Sequence, residues 1–512
     1  MIERRQLLAQ AAALAGASLL PGAWTPALAA TRIADDPFTL GVASGEPTPD
    51  GMVLWTRLAP KPLDPDGGMP PAPVAVTWEV GEDHGLKRIV SRGRVLAVPE
   101  AAHSVHVEVA GLKPGREYFY RFTAGGHASP IGRTRTAPAL DARAERLRIA
   151  YGSCQKYEAG YWSAYDALVA DAPDLVLFLG DYIYEGATGK NPIRPHPSVE
   201  AHDLATYRTR YGLYKSDRKL QAAHACAPWM VIWDDHEVDN DYGLDQDRTN
   251  PDPALFLRRR AAAYQAYYEH MPLRLTAQPH GPQMQMYRSL SYGDLVQFSV
   301  LDTRQYRTGQ PCGGPFKSPC PGVYEPSATI TGDRQEAWLK QSLDRSPAKW
   351  NIIANQVQMA RVDLKPGPDE QLVMDVWNGY ETSRDRFMKF LQERKPSNPV
   401  VITGDIHSNW VSDLKTDWKD EHSPVVGTEF TGTSISSAGD GVDEQKGTQE
   451  WYRENAHLKM FNGRRGYVMM TLTAAQCRAD YRTLPYVSKP DAPVKAHSSW
   501  IVENNKLGVC KA

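Results

Sequence analysis

The sequence has almost no excess of charge of either sign, and beyond residue 30 it has no long apolar run. Lysines and arginines number 58 against 60 aspartates and glutamates, a formal net charge of −2, and the basic residues gather in no single tract. This balance gives no support for a nucleic-acid surface, so no specific nucleic-acid recognition is expected. No later segment is long and apolar enough to span a bilayer, which predicts no stable membrane span.

The first 30 residues differ from the rest of the chain. Arg4 and Arg5 precede a mild, Ala-rich apolar stretch from Leu7 to Leu20, and Ala27-Leu-Ala offers a small-x-small cleavage site. This layout is typical of a twin-arginine export signal, and the alternative is an amphipathic N-terminal helix or membrane anchor. We predict a signal peptide over residues 1–30, export by the twin-arginine machinery, and a periplasmic or secreted mature protein.

Cysteine is scarce, with six residues in 512. In an exported protein such cysteines are expected to pair. Cys312 and Cys320 bracket a Gly/Pro-rich loop and form the favoured disulfide, while Cys477 and Cys510 are candidates for a second one. Cys226, in an Ala-rich segment, is interpreted as a buried small apolar residue.

Residues 36–137 show short alternating apolar and polar stretches separated by turns, which predicts an N-terminal all-β domain. The stretch from Gly111 to Arg121, which contains Tyr118 and Tyr120, resembles the tyrosine corner of a fibronectin type III or immunoglobulin-like sandwich, where a tyrosine hydroxyl bonds back to upstream backbone. Some other small β-domain is the alternative. The candidate strands are Val53–Arg57, Val74–Val80, Arg88–Leu96, Ser104–Val109 and Tyr118–Ala124.

After a polar linker at 138–146, strands alternate with helical stretches, which predicts a layered α/β catalytic domain over residues 146–512. The predicted strands are Leu147–Tyr151, Leu175–Leu179, Trp229–Trp233, Val296–Leu301, Asn351–Ala354 and Val400–Thr403. The predicted helices are Tyr161–Ala170, Thr206–Ala225, Pro253–His270, Asp333–Leu343 and Ser383–Arg394. The segment from Ala474 to Ala512 is interpreted as irregular and as a candidate lid.

Polar residues that can bind metals follow four of the apolar runs. Because strand-end loops of one sheet converge, these groups are expected to meet, and so many carboxylates would repel one another unless cations held them together. Taken singly, each has a simpler explanation: an aspartate capping a turn, a packed tyrosine, a buried cysteine or an exposed histidine. These explanations are plausible one by one and poor as a set. The groups are Cys154, then Asp181 with Tyr184, then the stretch 234–241, then Asp405 with His407.

These motifs carry a family resemblance. The order Gly-Asp181-x-x-Tyr184, then Asp235-His236-Glu, then Gly-Asp405-x-His resembles the calcineurin-like metallophosphoesterases and purple acid phosphatases. With Ser-Cys154-Gln and the stretch Leu301-Asp-Thr-Arg-Gln-Tyr-Arg added, the set looks like the PhoD-type alkaline phosphatases, and the likeness covers nearly the whole chain. It implies a metallophosphoesterase-like sheet-and-helix catalytic domain behind the N-terminal β-domain.

The resemblance implies one ferric ion and two calcium ions. Thiolate and phenolate are strong anionic donors that suit a trivalent, redox-capable ion, while an oxygen-rich remainder that is poor in histidine suits calcium better than zinc. Asp181 is expected to bridge the ions. The iron ligands implied are Cys154, Asp181, Tyr184 and His407, and the calcium ligands are Asp235, Asp405 and, further, Asn240.

The function implied is that of an exported metal-dependent phosphoesterase acting on phosphomonoesters and phosphodiesters. His236 is the candidate to protonate the leaving group or to stabilise developing charge. Asn409 and Arg304 are candidates to contact phosphate, with a salt bridge from Arg304 to Asp302 or another carboxylate as the favoured alternative for that residue. Substrates would be small phosphate esters or phosphate-containing polymers or lipids.

Two other functions stay open at this point. A phospholipase D-type phosphodiesterase would use the same metals, and pocket shape, set by the loops Gly186–His202 and Thr308–Ile330, would decide between the substrates. A non-catalytic surface-binding protein would keep the metals for stability alone.

Overall fold

A computed structural model describes residues 32–246 and 252–512. The signal peptide predicted over 1–30 lies outside the described residues. Two large sheets share one apolar core, which includes Ile149 and Phe178 from one sheet and Phe298 and Ile402 from the other. The layered α/β architecture predicted from the sequence is confirmed.

The larger sheet has ten strands, and its middle is parallel. Two of these strands, Leu175–Leu179 and Pro228–Ile232, are buried at every position, because a parallel strand inside such a fold is covered on both faces. In spatial order the strands are Cys510–Lys511, Lys495–Glu503, Gln476–Leu484, Arg465–Thr473, Arg146–Gly152, Leu175–Leu179, Pro228–Ile232, Val42–Thr48, Gly51–Arg57 and Ser104–Val109.

The second large sheet has seven strands, four of them parallel. In spatial order they are Arg288–Tyr292, Val296–Val300, Trp350–Ala354, Pro399–Thr403, Val425–Thr431, Asn409–Lys415 and Leu458–Asn462. The α-helices are Ala164–Asp171, Leu204–Lys215, Arg218–Cys226, Pro253–His270, Gly332–Arg345, Glu381–Arg394 and Thr448–Glu454. Within the described residues, no helix combines the length and apolarity that crossing a membrane needs.

The single helix predicted over Thr206–Ala225 is wrong, because the chain forms two helices there. The first ends at Lys215 and the second begins at Arg218. Between them, the side chain of Asp217 accepts the N–H of Lys219 at 2.9 Å and caps the second helix. An aspartate is favoured at this N-cap position, and it competes with continuation of the first helix.

The N-terminal region is a β-sandwich, as predicted, but it shares one of its sheets with the catalytic region. A five-stranded sheet packs over a separate apolar core against the strands Val42–Thr48, Gly51–Arg57 and Ser104–Val109. Those three strands are also one end of the ten-stranded sheet, since Ser44 pairs in parallel with Pro228. The sheet is therefore continuous between the two predicted domains. The five-stranded sheet contains Ile89–Ala97, Val74–Gly81, Glu117–Ala124, His127–Ala128 and Gly132–Arg135.

The tyrosine corner is confirmed. The hydroxyl of Tyr118, a residue that is 2% exposed, accepts the backbone N–H of Lys113 at 3.0 Å.

We expect Tyr118→Phe to lower the free energy of unfolding by about 1–2 kcal/mol, because it leaves that N–H without its partner. A matched control is Tyr267→Phe, whose buried hydroxyl makes no hydrogen bond within the described chain. Urea unfolding of both variants measures this loss. Equal urea midpoints for Tyr118→Phe and Tyr267→Phe would contradict the prediction.

The C-terminal segment is not irregular. Gln476–Leu484 and Lys495–Glu503 are strands at one end of the ten-stranded sheet, and Gln476–Leu484 alternates between more and less buried positions. The interpretation as irregular was wrong for these strands, because polar residues on the less buried positions hide the strand pattern. The role of the segment as a lid stays a prediction. The prolines Pro485, Pro490 and Pro493 lie in the connection between the strands.

Of the two expected disulfides, one is confirmed. Cys312 and Cys320 are bonded, whereas Cys477 and Cys510 are both free. Cys477 lies opposite Val502 and Cys510 opposite Ile501. Because successive residues of a strand point to opposite faces, the two cysteines lie on different faces of the sheet. The expected second disulfide is therefore wrong. Cys226 is half-buried rather than buried.

Candidate metal centre

The predicted metal-binding residues lie just beyond the carboxyl ends of strands from both large sheets. The expectation that they follow strands of one sheet was wrong, because the strand before Asp405 belongs to the seven-stranded sheet and those before Cys154, Asp181 and Asp235 to the ten-stranded sheet. Arg146–Gly152 leads to Cys154, Leu175–Leu179 to Asp181, Pro228–Ile232 to Asp235, and Pro399–Thr403 to Asp405. Glycines at the turns allow the strand ends to touch. A Cβ on Gly180, whose φ is +98°, would lie 2.4 Å from the Cβ of Asp234, and one on Gly404 would lie 2.4 Å from Ser153 Oγ.

The four residues predicted to hold iron lie together. Ligand atoms of Cys154, Asp181 and His407 are all within 4.8 Å of one another. The hydroxyl of Tyr184 donates to Asp181 Oδ2 at 2.7 Å and lies 3.2 Å from His407 Nε2. Ser437 Oγ donates to the same hydroxyl at 2.7 Å and orients the phenol.

Three acidic groups adjoin this one, and ligand atoms in each lie within 4.8 Å of one another. Asp181 belongs both to the acidic group with Asp235 and His236 and to the group with Cys154. Asp235 belongs to all three acidic groups. Asn240 has an exposed side chain, and its backbone N–H donates to Glu185 Oε1 at 3.1 Å, so its ligand role stays a prediction. The groups are Asp181–Asp235–His236, Asp234–Asp235–Asp405 and Asp235–Asp241–Asp375.

Four of these residues have a left-handed backbone. The φ angles are +57° at Cys154, +56° at Asp181, +61° at Asp405 and +55° at His407. Residues other than glycine rarely adopt such angles, which cost of order 1–3 kcal/mol each and cluster at functional sites. The turns set the directions of the side chains that meet here.

Burial and mutual repulsion make the acidic cluster costly without a counter-charge. Burial raises the pKa of Asp181 and that of the Cys154 thiol well above their usual values, and neighbouring carboxylates add to both shifts. Buried oxygens of Asp181, Asp234 and Asp235 make no hydrogen bond within the described chain. Unsatisfied buried carboxylate oxygens are unfavourable, and a cation would both satisfy them and favour the ionised forms.

The donor set therefore fits metal ions. One end offers a thiol, a phenol, an imidazole and a carboxylate, which suit a transition metal, and the other offers carboxylates alone, which suit a hard cation. Apart from Asn240, the ligands expected from the resemblance lie close enough together to hold such ions, and their ligand roles stay predictions.

His236 is held by Glu185. Its Nδ1 lies 2.7 Å from Glu185 Oε2, and its ring lies over Tyr184 with centroids 4.1 Å apart. Burial lowers the pKa of His236, but the carboxylates of Glu185, Asp235 and Asp181 raise it, and the result lies well above the usual value. The neighbouring carboxylates thus favour the protonated form of the imidazole.

Arg304 is fully buried within the acidic cluster. Its Nε donates to Asp234 Oδ1 at 2.5 Å and its Nη2 lies 2.8 Å from Asp375 Oδ2. The salt bridge favoured for this residue is thus confirmed, with these carboxylates rather than with Asp302, which accepts the backbone N–H of Arg304 at 3.1 Å.

Asn409 is also occupied by protein partners. Its Oδ1 accepts the N–H of Thr433 at 3.0 Å, and its Nδ2 lies 3.3 Å from the carbonyl oxygen of Arg464. The phosphate contacts expected of Asn409 and Arg304 remain predictions.

Several supporting residues were not predicted. The carboxylate of Glu237 accepts the backbone N–H groups of Asp181 at 3.1 Å and Asp234 at 2.8 Å, so it joins two strand ends. Burial raises its pKa to about 8. Asp375 completes one acidic group and stands in the apolar stretch 372–377, where a lone acid is a signal that could have been noticed. Arg465 donates to the backbone oxygen of His407.

Comparisons with known proteins agree with this geometry. The sequence profile of the PhoD-like phosphatase family matches residues 149–481, and that of the family's N-terminal domain matches residues 23–138. Alkaline phosphatase D of Bacillus subtilis (strain 168) is 45% identical over 490 residues, which are 94% of this chain and 84% of that protein. A solved structure of PhoD matches with a TM-score of 0.92 at 44% identity and covers 94% of this chain and 93% of its own. The match of profile, sequence and structure over most of the chain means that this protein belongs to the PhoD-like phosphatase family.

Proposed function

We propose that this protein hydrolyses phosphate monoesters and diesters with cations held at the strand ends described above. The observation that carries the proposal is the convergence of Cys154, Asp181, Tyr184 and His407 with further buried carboxylates at one edge. The relative that is 45% identical bears the name alkaline phosphatase D, which supports the same activity here.

We further propose one ferric ion and two calcium ions. Cys154, Asp181, Tyr184 and His407 would hold the iron, and the carboxylates of Asp235 and Asp405, with Asn240, would hold calcium. When bound, the cations supply positive charge for the phosphoryl oxygens and lower the pKa of water.

The protein's own groups supply the remaining steps. Protonated His236 is placed beside the cluster to give its proton to the departing alcohol oxygen, and Glu185 keeps the ring oriented through the 2.7 Å contact with Nδ1. Glu237 fixes the turns that carry Asp181 and Asp234. Export through the twin-arginine machinery to the periplasm or beyond is part of the proposal and rests on residues 1–30 of the sequence.

Colour and chelation test the proposed centre. Purified protein is expected to be violet or yellow-brown from charge transfer between the Tyr184 phenolate and iron, and exhaustive chelation of calcium is expected to abolish turnover of a chromogenic phosphate ester. Tyr184→Phe should lose the visible band. Tyr182→Phe should keep it, because that hydroxyl lies 2.7 Å from His224 Nε2 and belongs to none of the metal-binding groups.

Three outcomes would count against the proposal. Full activity after exhaustive removal of metal would refute the metal-dependent mechanism. Bound metal without turnover of any phosphate ester would favour the non-catalytic surface-binding protein, whereas turnover of phospholipids alone would favour the phospholipase D-type alternative.

A further inference from the structure

A cavity beside the acidic cluster has no part in the chemistry above. Its volume is about 730 Å³, and residues of two segments, 241–246 and 309–317, line it. Asp241 lies in its wall and also belongs to the acidic group with Asp235 and Asp375. A space of this size next to the candidate metal centre can hold the alcohol part of a phosphate ester.

The structure fixes the second of these segments relative to the cluster. The disulfide between Cys312 and Cys320 closes the loop that contains it. Inside that loop, Phe316–Lys317 pairs as a short antiparallel strand with Leu372–Val373. Asp375 of the acidic cluster follows two residues after that strand, so the cavity wall and the cluster are joined by a short stretch of chain.

The cavity wall offers donors for an anion. Lys317 is exposed, lines the cavity and forms no ion pair within the described residues. Gln310 Nε2 is buried, and no hydrogen-bond partner for it exists in that part of the chain. A buried amide donor without a partner is costly, and an oxygen of a bound ligand would satisfy it. A free ammonium group and an unpaired donor on the segment 309–317 favour a negatively charged oxygen ligand there, rather than beside the carboxylate of Asp241 on the other segment.

We propose that this cavity is a leaving-group subsite for phosphate esters that carry a second anionic group, bound by Lys317 and Gln310 while the first phosphate lies at the metal centre. The inference rests on the phosphate-ester hydrolysis proposed above and names its preferred substrate class. Phe316, which is 57% exposed, lies in the same wall and offers an apolar contact to the carbon skeleton of the alcohol.

Gly309 allows the cavity to be filled without strain. A Cβ built on this glycine meets no atom within 4 Å, and its φ lies outside the left-handed region. Gly309→Leu should therefore place its side chain in open space without disturbing the fold. Gly309→Leu tests whether substrate occupies the cavity, and Lys317→Met tests whether the lysine ammonium group binds the second anionic group.

The experiment compares two esters of one sugar, fructose 1,6-bisphosphate and fructose 6-phosphate, with the metal-loaded full-length protein. Wild type is expected to show the higher kcat/KM with the bisphosphate. Lys317→Met should lower this preference on the order of tenfold, the size of one charge-assisted hydrogen bond. Gly309→Leu should lower kcat/KM for both sugar phosphates. Lys389→Met, which removes an exposed lysine on the helix Glu381–Arg394, is the matched control.

Calorimetric binding of both sugar phosphates provides a readout apart from turnover. If wild type hydrolyses neither sugar phosphate nor 4-nitrophenyl phosphate, the proposed function fails, and a bisphosphate binding advantage that Lys317→Met removes would still support the subsite. An unchanged preference in Lys317→Met, an unchanged kcat/KM for both sugar phosphates in Gly309→Leu, or no binding advantage of the bisphosphate in wild type would overturn it. A preference for neutral aromatic esters that both variants retain would also count against it.

Discussion

Asp181→Asn is expected to lower turnover of phosphate esters by about 10²–10³-fold, a size typical for loss of one group that stabilises the transition state. Asp181 belongs both to the group with Cys154 and His407 and to the group with Asp235 and His236. An amide carries no charge and cannot bridge two cations as a carboxylate can. We therefore expect bound metal to fall together with activity.

The metal content and the turnover of this variant are measured side by side. Asp166→Asn is the matched control, because that carboxylate is 58% exposed, pairs with Lys219 and belongs to none of the metal-binding groups. Circular dichroism establishes that both variants are folded. A variant at Asp181 with normal metal content and normal turnover would contradict the proposed centre.

Arg304→Met is expected to lower the free energy of unfolding by about 3–5 kcal/mol, the cost of leaving buried charge without its partner. The guanidinium lies between the carboxylates of Asp234 and Asp375, and it is also 3.6 Å from Asp235 Oδ1. Burial raises the pKa of Asp234, and Arg304 opposes that rise. Without the arginine, these acids repel one another or take up protons, and both weaken the cluster.

Denaturant unfolding of the metal-loaded protein measures this loss. Arg394→Met is the matched control, because Arg394 is 58% exposed, and its pair with Asp344 is expected to contribute about 1 kcal/mol or less. The double variant Arg304→Met/Asp234→Asn should be less destabilised than the sum of its single variants, since one uncompensated charge is removed. A loss below about 1 kcal/mol in Arg304→Met would show that the carboxylates do not need this cation.

The buried strands and the residues that follow them could be predicted from the sequence. Leu175–Leu179 and Pro399–Thr403 are continuous apolar runs because both faces of each are covered, and that pattern is local. The sequence alone also shows that Asp181 and Asp405 come shortly after these runs. Asp181 and Asp405 follow strands of different sheets, so their meeting depends on how the two sheets pack together and not on the order of the strands within one sheet.

Other features depend on contacts between distant parts of the chain. Nothing near Asp375 in sequence shows that it lies beside Arg304 and Arg307. The left-handed backbone at Cys154 and His407 is imposed by the turns around the site, against the usual preference of both residue types. The C-terminal strands were missed because their polar positions resemble a loop when read without the neighbouring strand.

The shared sheet has a consequence for biogenesis. Strand Arg146–Gly152 pairs with Arg465–Thr473, which is synthesised more than three hundred residues later. Strand Val42–Thr48 likewise cannot pair with Pro228–Ile232 until that strand has been synthesised. A nascent chain released early would present unpaired strand edges, which invite aggregation. Completion of the fold thus requires almost the entire polypeptide, which would suit the proposed export through the twin-arginine machinery, a route that carries folded proteins.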